Sequence, residues 1–190
     1  MRWLVFLAAT LFATSVTADN LLINPDFDLD PTIPGNGWST VGTGSFLWIQ
    51  SGGDPAPPSA RTSQVGDESM ILFQCVAVTG GLTLDFSSRS YTHSSSVPAH
   101  NGVSLSVFPT TDCSGAPIET VIADQNSVPG WYMRERIGYI TPPNTLGARI
   151  ELFSEANGAN NDISWDHVIL TSQVTAAEAS TWGGVKTLFR

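Results

Sequence analysis

Residues 103–107 read Val103-Ser104-Leu105-Ser106-Val107, apolar at every second position with serine between. A period of two belongs to a β-strand, whose successive side chains leave on opposite faces, so the stretch predicts a strand with one face in a core and one toward water. The same alternation sets Leu82, Leu84 and Phe86 against Thr83, Asp85 and Ser87. Working outward, apolar runs predict strands at Leu21 to Ile23, Phe46 to Gln50, Met70 to Val78, Leu82 to Ser90, Val103 to Phe108, Met133 to Ile140, Ala148 to Phe153 and Ile163 to Thr171, with weaker ones at Arg61 to Val65 and Glu119 to Ile122. Turn chemistry separates them. Gly80-Gly81 reads as a hairpin between two strong strands, and Asp54-Pro55-Ala56-Pro57-Pro58 and Pro142-Pro143-Asn144 fit no central strand. Eight to ten half-buried strands with hardly any helix imply an all-β protein, a β-sandwich of two antiparallel sheets.

The chain has 190 residues, the length of one domain, with 17 Gly and 12 Pro and no repeat. Eight Lys and Arg against 17 Asp and Glu give a net charge of −9. Without a basic stripe to neutralise phosphates, nucleic acid is excluded as a partner, and an anionic membrane surface repels such a chain. At the N-terminus, Arg2, the apolar run Trp3 to Ala13 and the small-residue site Val16-Thr17-Ala18 read as a signal peptide over residues 1–18. The run is too short for a membrane span, which needs about 20 apolar residues. The expected product is secreted, whether extracellular, on the cell surface or periplasmic. In that oxidising compartment Cys75 and Cys113, the only two cysteines, form a disulfide.

Residues 19–171 then form the domain, and 172–190 a linker and short tail. In Ser180 to Arg190 the residues Trp182, Val185, Leu188 and Phe189 recur at helical spacing beside Lys186 and Arg190, an element suited to docking on a surface partner.

The opening NLLINPDFDLD (Asn20 to Asp30), the dipeptide Gly37-Trp38, the strand and glycine turn QCVAVTGGLTLDFSSRS beginning at Gln74, and the closing DISWDHVIL (Asp162 to Leu170) resemble the jelly-roll modules of carbohydrate-binding families 4, 9 and 22. The resemblance covers nearly all of Asn20 to Thr171. It implies a galactose-binding-like jelly roll and non-catalytic recognition of a poly- or oligosaccharide. It also implies structural Ca²⁺ held by the Asp26 carbonyl and the Asp28 and Asp166 carboxylates, with Asp54 or Asp67 as a further ligand. Hard oxygen donors of this kind suit the ion. Asp28 stands where Glu is commoner, and His167 where the pattern often has a second Asp.

Pyranose rings stack their C–H faces on aromatic side chains, and polar groups fix their hydroxyls. Trp38, after Gly37, reads as core, and Trp131, after Pro129-Gly130, as packing at the start of a strand. With Val168 and Leu170 pointing inward, strict alternation sends Asp166 inward and turns Trp165, His167 and Ile169 outward, so Trp165 and His167 form the expected sugar platform. Tyr91, Tyr132 and Tyr139 are further candidates, along with His93 and His100.

No G-x-S-x-G elbow, H-E-x-x-H or phosphate loop is present. Carboxylates such as Asp85, Glu119 and Glu151 are scattered through strands and turns, with nothing to pair them across a cleft. The reading is of a binding protein rather than an enzyme. Its alternative is a structural or adhesive surface protein that uses the same sandwich without a sugar site.

Overall fold

A computed structural model describes residues 18–93, 101–123, 129–156, 158 and 160–173. Those residues form ten strands and no helix: β1 (Ser39–Gly42), β2 (Ser45–Ile49), β3 (Ser59–Gln64), β4 (Ser69–Ala77), β5 (Thr83–Thr92), β6 (Asn101–Phe108), β7 (Glu119–Ile122), β8 (Gly130–Ile140), β9 (Gly147–Glu155) and β10 (Asn161–Gln173). They build two five-stranded sheets, ordered β1-β4-β9-β6-β7 and β2-β3-β10-β5-β8, with every pairing antiparallel. The all-β sandwich expected from the alternation is the observed fold.

The inward residues of the two sheets form one core. Leu72, Val103, Leu105, Ile150 and Leu152 meet Leu84, Phe86, Ile163, Trp165, Val168 and Leu170. Trp38 lies in this core, as its Gly-Trp context implies, and its indole Nε1 donates to the Asn24 carbonyl at 2.9 Å. Cys75 and Cys113 are joined, tying β4 to the loop after β6.

Two local expectations are corrected and one strand is added. Leu21 to Ile23 is not a strand, although it runs along the second sheet and the Leu21 N–H donates to the Leu170 carbonyl. β1 was not anticipated, because Ser39-Thr40-Val41-Gly42 is exposed throughout and carries no alternation. Gly80-Gly81 does not close a hairpin, since β4 and β5 lie in opposite sheets and the glycines carry the chain across the sandwich. A Cβ at Gly80 would stand 2.2 Å from the Pro143 carbonyl oxygen, so glycine is required by the close approach of that loop.

β10 carries the irregularity that matters most for the site. Its register against β5 shifts between Asp166 and Ile169, and His167 adopts a left-handed φ of 48°. The extra residue of this bulge reverses the alternation. Trp165 and Val168 therefore both point inward although they are three residues apart, and Asp166 does not share their face.

Residues 1–17 and 174–190, with the expected signal segment and the Ser180 to Arg190 tail, lie outside the described residues, as does His100. No helix among the described residues is long and apolar enough to cross a membrane.

Candidate functional site

The outer face of the second sheet carries one straight row of side chains. Leu47 on β2 is in register with Arg61 on β3, Arg61 with Ser164 on β10, Ser164 with Tyr91 on β5, and Tyr91 with Trp131 on β8. Residues in register share a face, so the row runs unbroken across all five strands. Beside it opens a hollow of about 300 Å³, lined by Arg61, Tyr91, Trp131 and Ser164 together with His93, Ser59, Ile49 and the Gly52-Gly53 loop. That volume is near the lower end for ligand sites.

Aromatic rings form one wall. The Tyr91 and Trp131 centroids are 5.5 Å apart at 59°, and the His93 ring meets Tyr91 edge-on at 4.8 Å. His93 Nε2 is 3.1 Å from the Ser164 hydroxyl, and Arg61 Nη2 donates to Asp162 at 2.8 Å. Burial, and after it the Arg61 charge, hold the His93 imidazole below its usual value against the opposing pull of Asp162. Burial works to raise the Asp162 carboxyl, but hydrogen bonds from Ser63 and Arg61 and the Arg61 charge outweigh it and leave the group lowered. The floor thus carries an internally neutralised ion pair beside a neutral imidazole. Among the described residues Arg61 Nε and Ser59 Oγ are buried with no hydrogen-bond partner.

A second, smaller hollow adjoins the Gly53 side. Asp26, Asp28, Asp166 and His167 line it with Pro55, Ala56 and Pro57. The bulge aims Asp166 here: its Oδ2 accepts from the Asp54 N–H and its Oδ1 from the His167 N–H, both at 2.7 Å. Burial pushes the Asp166 carboxyl up to about 6, the nearby Asp26 charge adds to the shift, and the two N–H groups and His167 oppose it. His167 Nδ1 lies 2.8 Å from Asp26 Oδ1, and Arg89 pairs with Asp54. Gly53 admits this packing, because a Cβ there would stand 2.8 Å from Asp166 Oδ2.

No protein-family model and no curated protein matches the sequence. Solved structures do match. A family 61 carbohydrate-binding module solved with β-1,4-galactotriose aligns with 82% of this chain and 100% of its own, at 16% identity and a TM-score of 0.56. The CBM22-2 xylan-binding domain from Paenibacillus barcinonensis Xyn10C aligns with 78% and 98%, at 17% identity and a TM-score of 0.56. The enzymatically active domain of tailspike protein 4 from bacteriophage CBA120 aligns with 81% of this chain but only 21% of its own, at 12% identity and a TM-score of 0.62. The chain has the fold of carbohydrate-binding modules.

Within this module fold the residues singled out from sequence separate. Tyr91 and His93 come together in the first hollow, and Asp26, Asp28, Asp166 and His167 in the second. Trp165 does not form a platform with His167: it is fully buried, its Nε1 donating to the Thr62 hydroxyl at 3.2 Å. The bulge is the reason, since strict alternation holds only in an unbulged strand. Tyr139 is buried and donates to Glu119 at 3.2 Å, which removes it from any exposed surface. Tyr132 is 39% exposed at the sheet edge, where the Arg134 guanidinium lies 5.9 Å from its ring, and it does not line the hollow. Sequence reasoning missed Trp131, Arg61 and Ser164 as hollow-lining residues. Their shared row with Tyr91 exists only through strand register.

Proposed function

We propose that this protein is a secreted, non-catalytic module that binds a poly- or oligosaccharide in the hollow between Tyr91, Trp131 and Arg61. The observation that carries the proposal is the row Arg61, Ser164, Tyr91, Trp131, which sets stacking surfaces beside hydrogen-bonding groups on one sheet face. Trp131 and Tyr91 present ring surface to a pyranose. The Arg61 guanidinium, the Ser164 hydroxyl and neutral His93 supply donors and an acceptor for its hydroxyls. Because the Arg61 charge is already matched by Asp162, the hollow suits an uncharged sugar. The solved neighbours that bind galactotriose or xylan support the ligand class through the shared fold. Secretion is supported by the apolar N-terminal segment and the disulfide.

A second placement of the sugar rests on the other sheet, where Phe73, Glu151 and Ser104 stand in register on the outer face. There Glu151 accepts from Ser104 at 2.9 Å and pairs with Arg149, whose guanidinium lies over the Phe73 and Phe108 rings.

Calcium is proposed for the second hollow. The Asp28 and Asp166 carboxylates and the Asp26 carbonyl are the right donors in kind, and the ion would neutralise the charge crowding Asp166. Among the described residues no three His, Cys, Asp or Glu side chains are grouped to hold a metal, so carbonyls and water have to complete the shell. Bound there, calcium would fasten the Asp26–Asp28 segment to β10.

A glycan-array screen of the purified protein with and without calcium tests the function. Binding lost in Trp131→Ala selects the first hollow, and binding lost in Glu151→Ala selects the other sheet. Silence across plant, bacterial and animal glycans with a folded protein supports the structural or adhesive alternative.

A further inference from the structure

Among the described residues four strands end the two sheets, β1 and β7 in the first and β2 and β8 in the second. A free edge offers unpaired N–H and C=O groups to any other strand, and proteins usually blunt such edges with charge. β7 carries Glu119, and β8 carries Arg134, Glu135 and Arg136. β1 is uncharged but has only four residues and includes Gly42. β2, Ser45-Phe46-Leu47-Trp48-Ile49, is uncharged and strongly apolar. Its central residue Leu47 is 50% exposed, in a stretch from 31 to 53 that contains no Asp, Glu, Lys, Arg or His. Exposed Ile23, Ile33 and Val41 belong to the same part of the chain, around a groove lined by Ile23, Trp38 and Phe46.

We infer that two copies of this chain join edge to edge through β2, about a two-fold axis at Leu47. A second copy fits for two reasons. Each copy carries a net charge of −9, so two copies repel least where they meet at an uncharged surface, and residues 31–53 supply one. The strand is also complementary to itself. Antiparallel pairing centred on Leu47 sets that residue against its own copy, Ser45 against Ile49 and Phe46 against Trp48, apolar or small at every place. Leu47 ends the row Leu47, Arg61, Ser164, Tyr91, Trp131, so the pairing makes one ten-stranded sheet whose outer row runs through both copies. The pairing does not depend on what the hollow binds.

Sedimentation velocity of the purified protein over a concentration series tests it. The expected result is a dimer that dissociates on dilution, is lost in Leu47→Lys and persists in Ile137→Lys, which alters the most exposed apolar side chain of β8 (68%). Leu47→Cys provides a second reading that leaves the exposed site intact: mild oxidation links it into a covalent dimer, whereas Ile137→Cys stays free of cross-links. A protein that is monomeric up to about millimolar concentration, well above the range of specific dimers, overturns the inference. So does a dimer that survives Leu47→Lys, or oxidative cross-linking of the Ile137→Cys variant but not of the Leu47→Cys variant.

Discussion

Tyr91 and Trp131 stand opposite each other across the β5–β8 pairing, their ring centroids 5.5 Å apart and tilted by 59°. Neither ring belongs to the core cluster, so this aromatic pair is available to a ligand. Replacing a central aromatic anchor costs about 2 kcal/mol of binding, roughly thirtyfold in affinity. Trp131→Ala is expected to lose that much for the best glycan of the array, measured by calorimetry, while its melting temperature stays close to wild type. Retained affinity would move the site off this sheet.

Trp165→Ala should behave in the opposite way. Removing a fully buried indole leaves a cavity and costs about 3 to 5 kcal/mol of stability. Chemical denaturation should show this loss, whereas Trp165→Phe, which gives up mainly the bond to Thr62, should be much milder.

The Cys75–Cys113 bond closes a separation of 38 residues, for which chain entropy predicts about 4 kcal/mol. Reduction, or Cys75→Ser with Cys113→Ser, should lower the melting temperature by about 10 °C for a domain of this size. An unchanged melting curve would show that the bond adds nothing to stability.

Alkaline titration reports on Tyr139. Burial first, then the Glu119 charge and hydrogen bond, push its phenol up to about 12 from 10. Between those values the folded state holds the proton and the unfolded state has lost it, so stability falls as pH rises through the window. Tyr139→Phe should flatten that fall, and the latest phase of phenolate absorbance should vanish with it.

Calcium that binds only the folded protein must raise its melting temperature. EDTA is expected to lower it and added calcium to restore it, and Asp28→Asn should be indifferent to both. Indifference of the wild-type protein rejects the metal.

Most of the fold was legible because alternation is a local signal. Val103 to Val107 announces its strand unaided, and two cysteines leave a single pairing. What escaped depended on partners distant in sequence. The side on which Trp165 falls is decided by a bulge at His167, whose left-handed backbone no alternation rule anticipates. Whether Gly80-Gly81 closes a hairpin or crosses between sheets depends on which strands β4 and β5 choose as neighbours. Trp131 reads as packing until register sets it against Tyr91. The hollow was half legible for the same reason: Tyr91 and His93 stood out as ring-bearing residues in the sequence, but Arg61 and Ser164 carry no mark of their own.

The placement of β10 has a consequence for how the chain reaches this state. β10 lies at the middle of the second sheet between β3 and β5, yet it is the last in sequence of the ten described strands. Its pairing with β3 joins residues about a hundred positions apart, so a large loop must close before the contact repays it. A growing chain that stops short of residue 161 has β2–β3 and β5–β8 as separate fragments with an open trough between them. The second sheet should form in one late, slow, cooperative step, leaving the shorter chains soft and open to proteases until then.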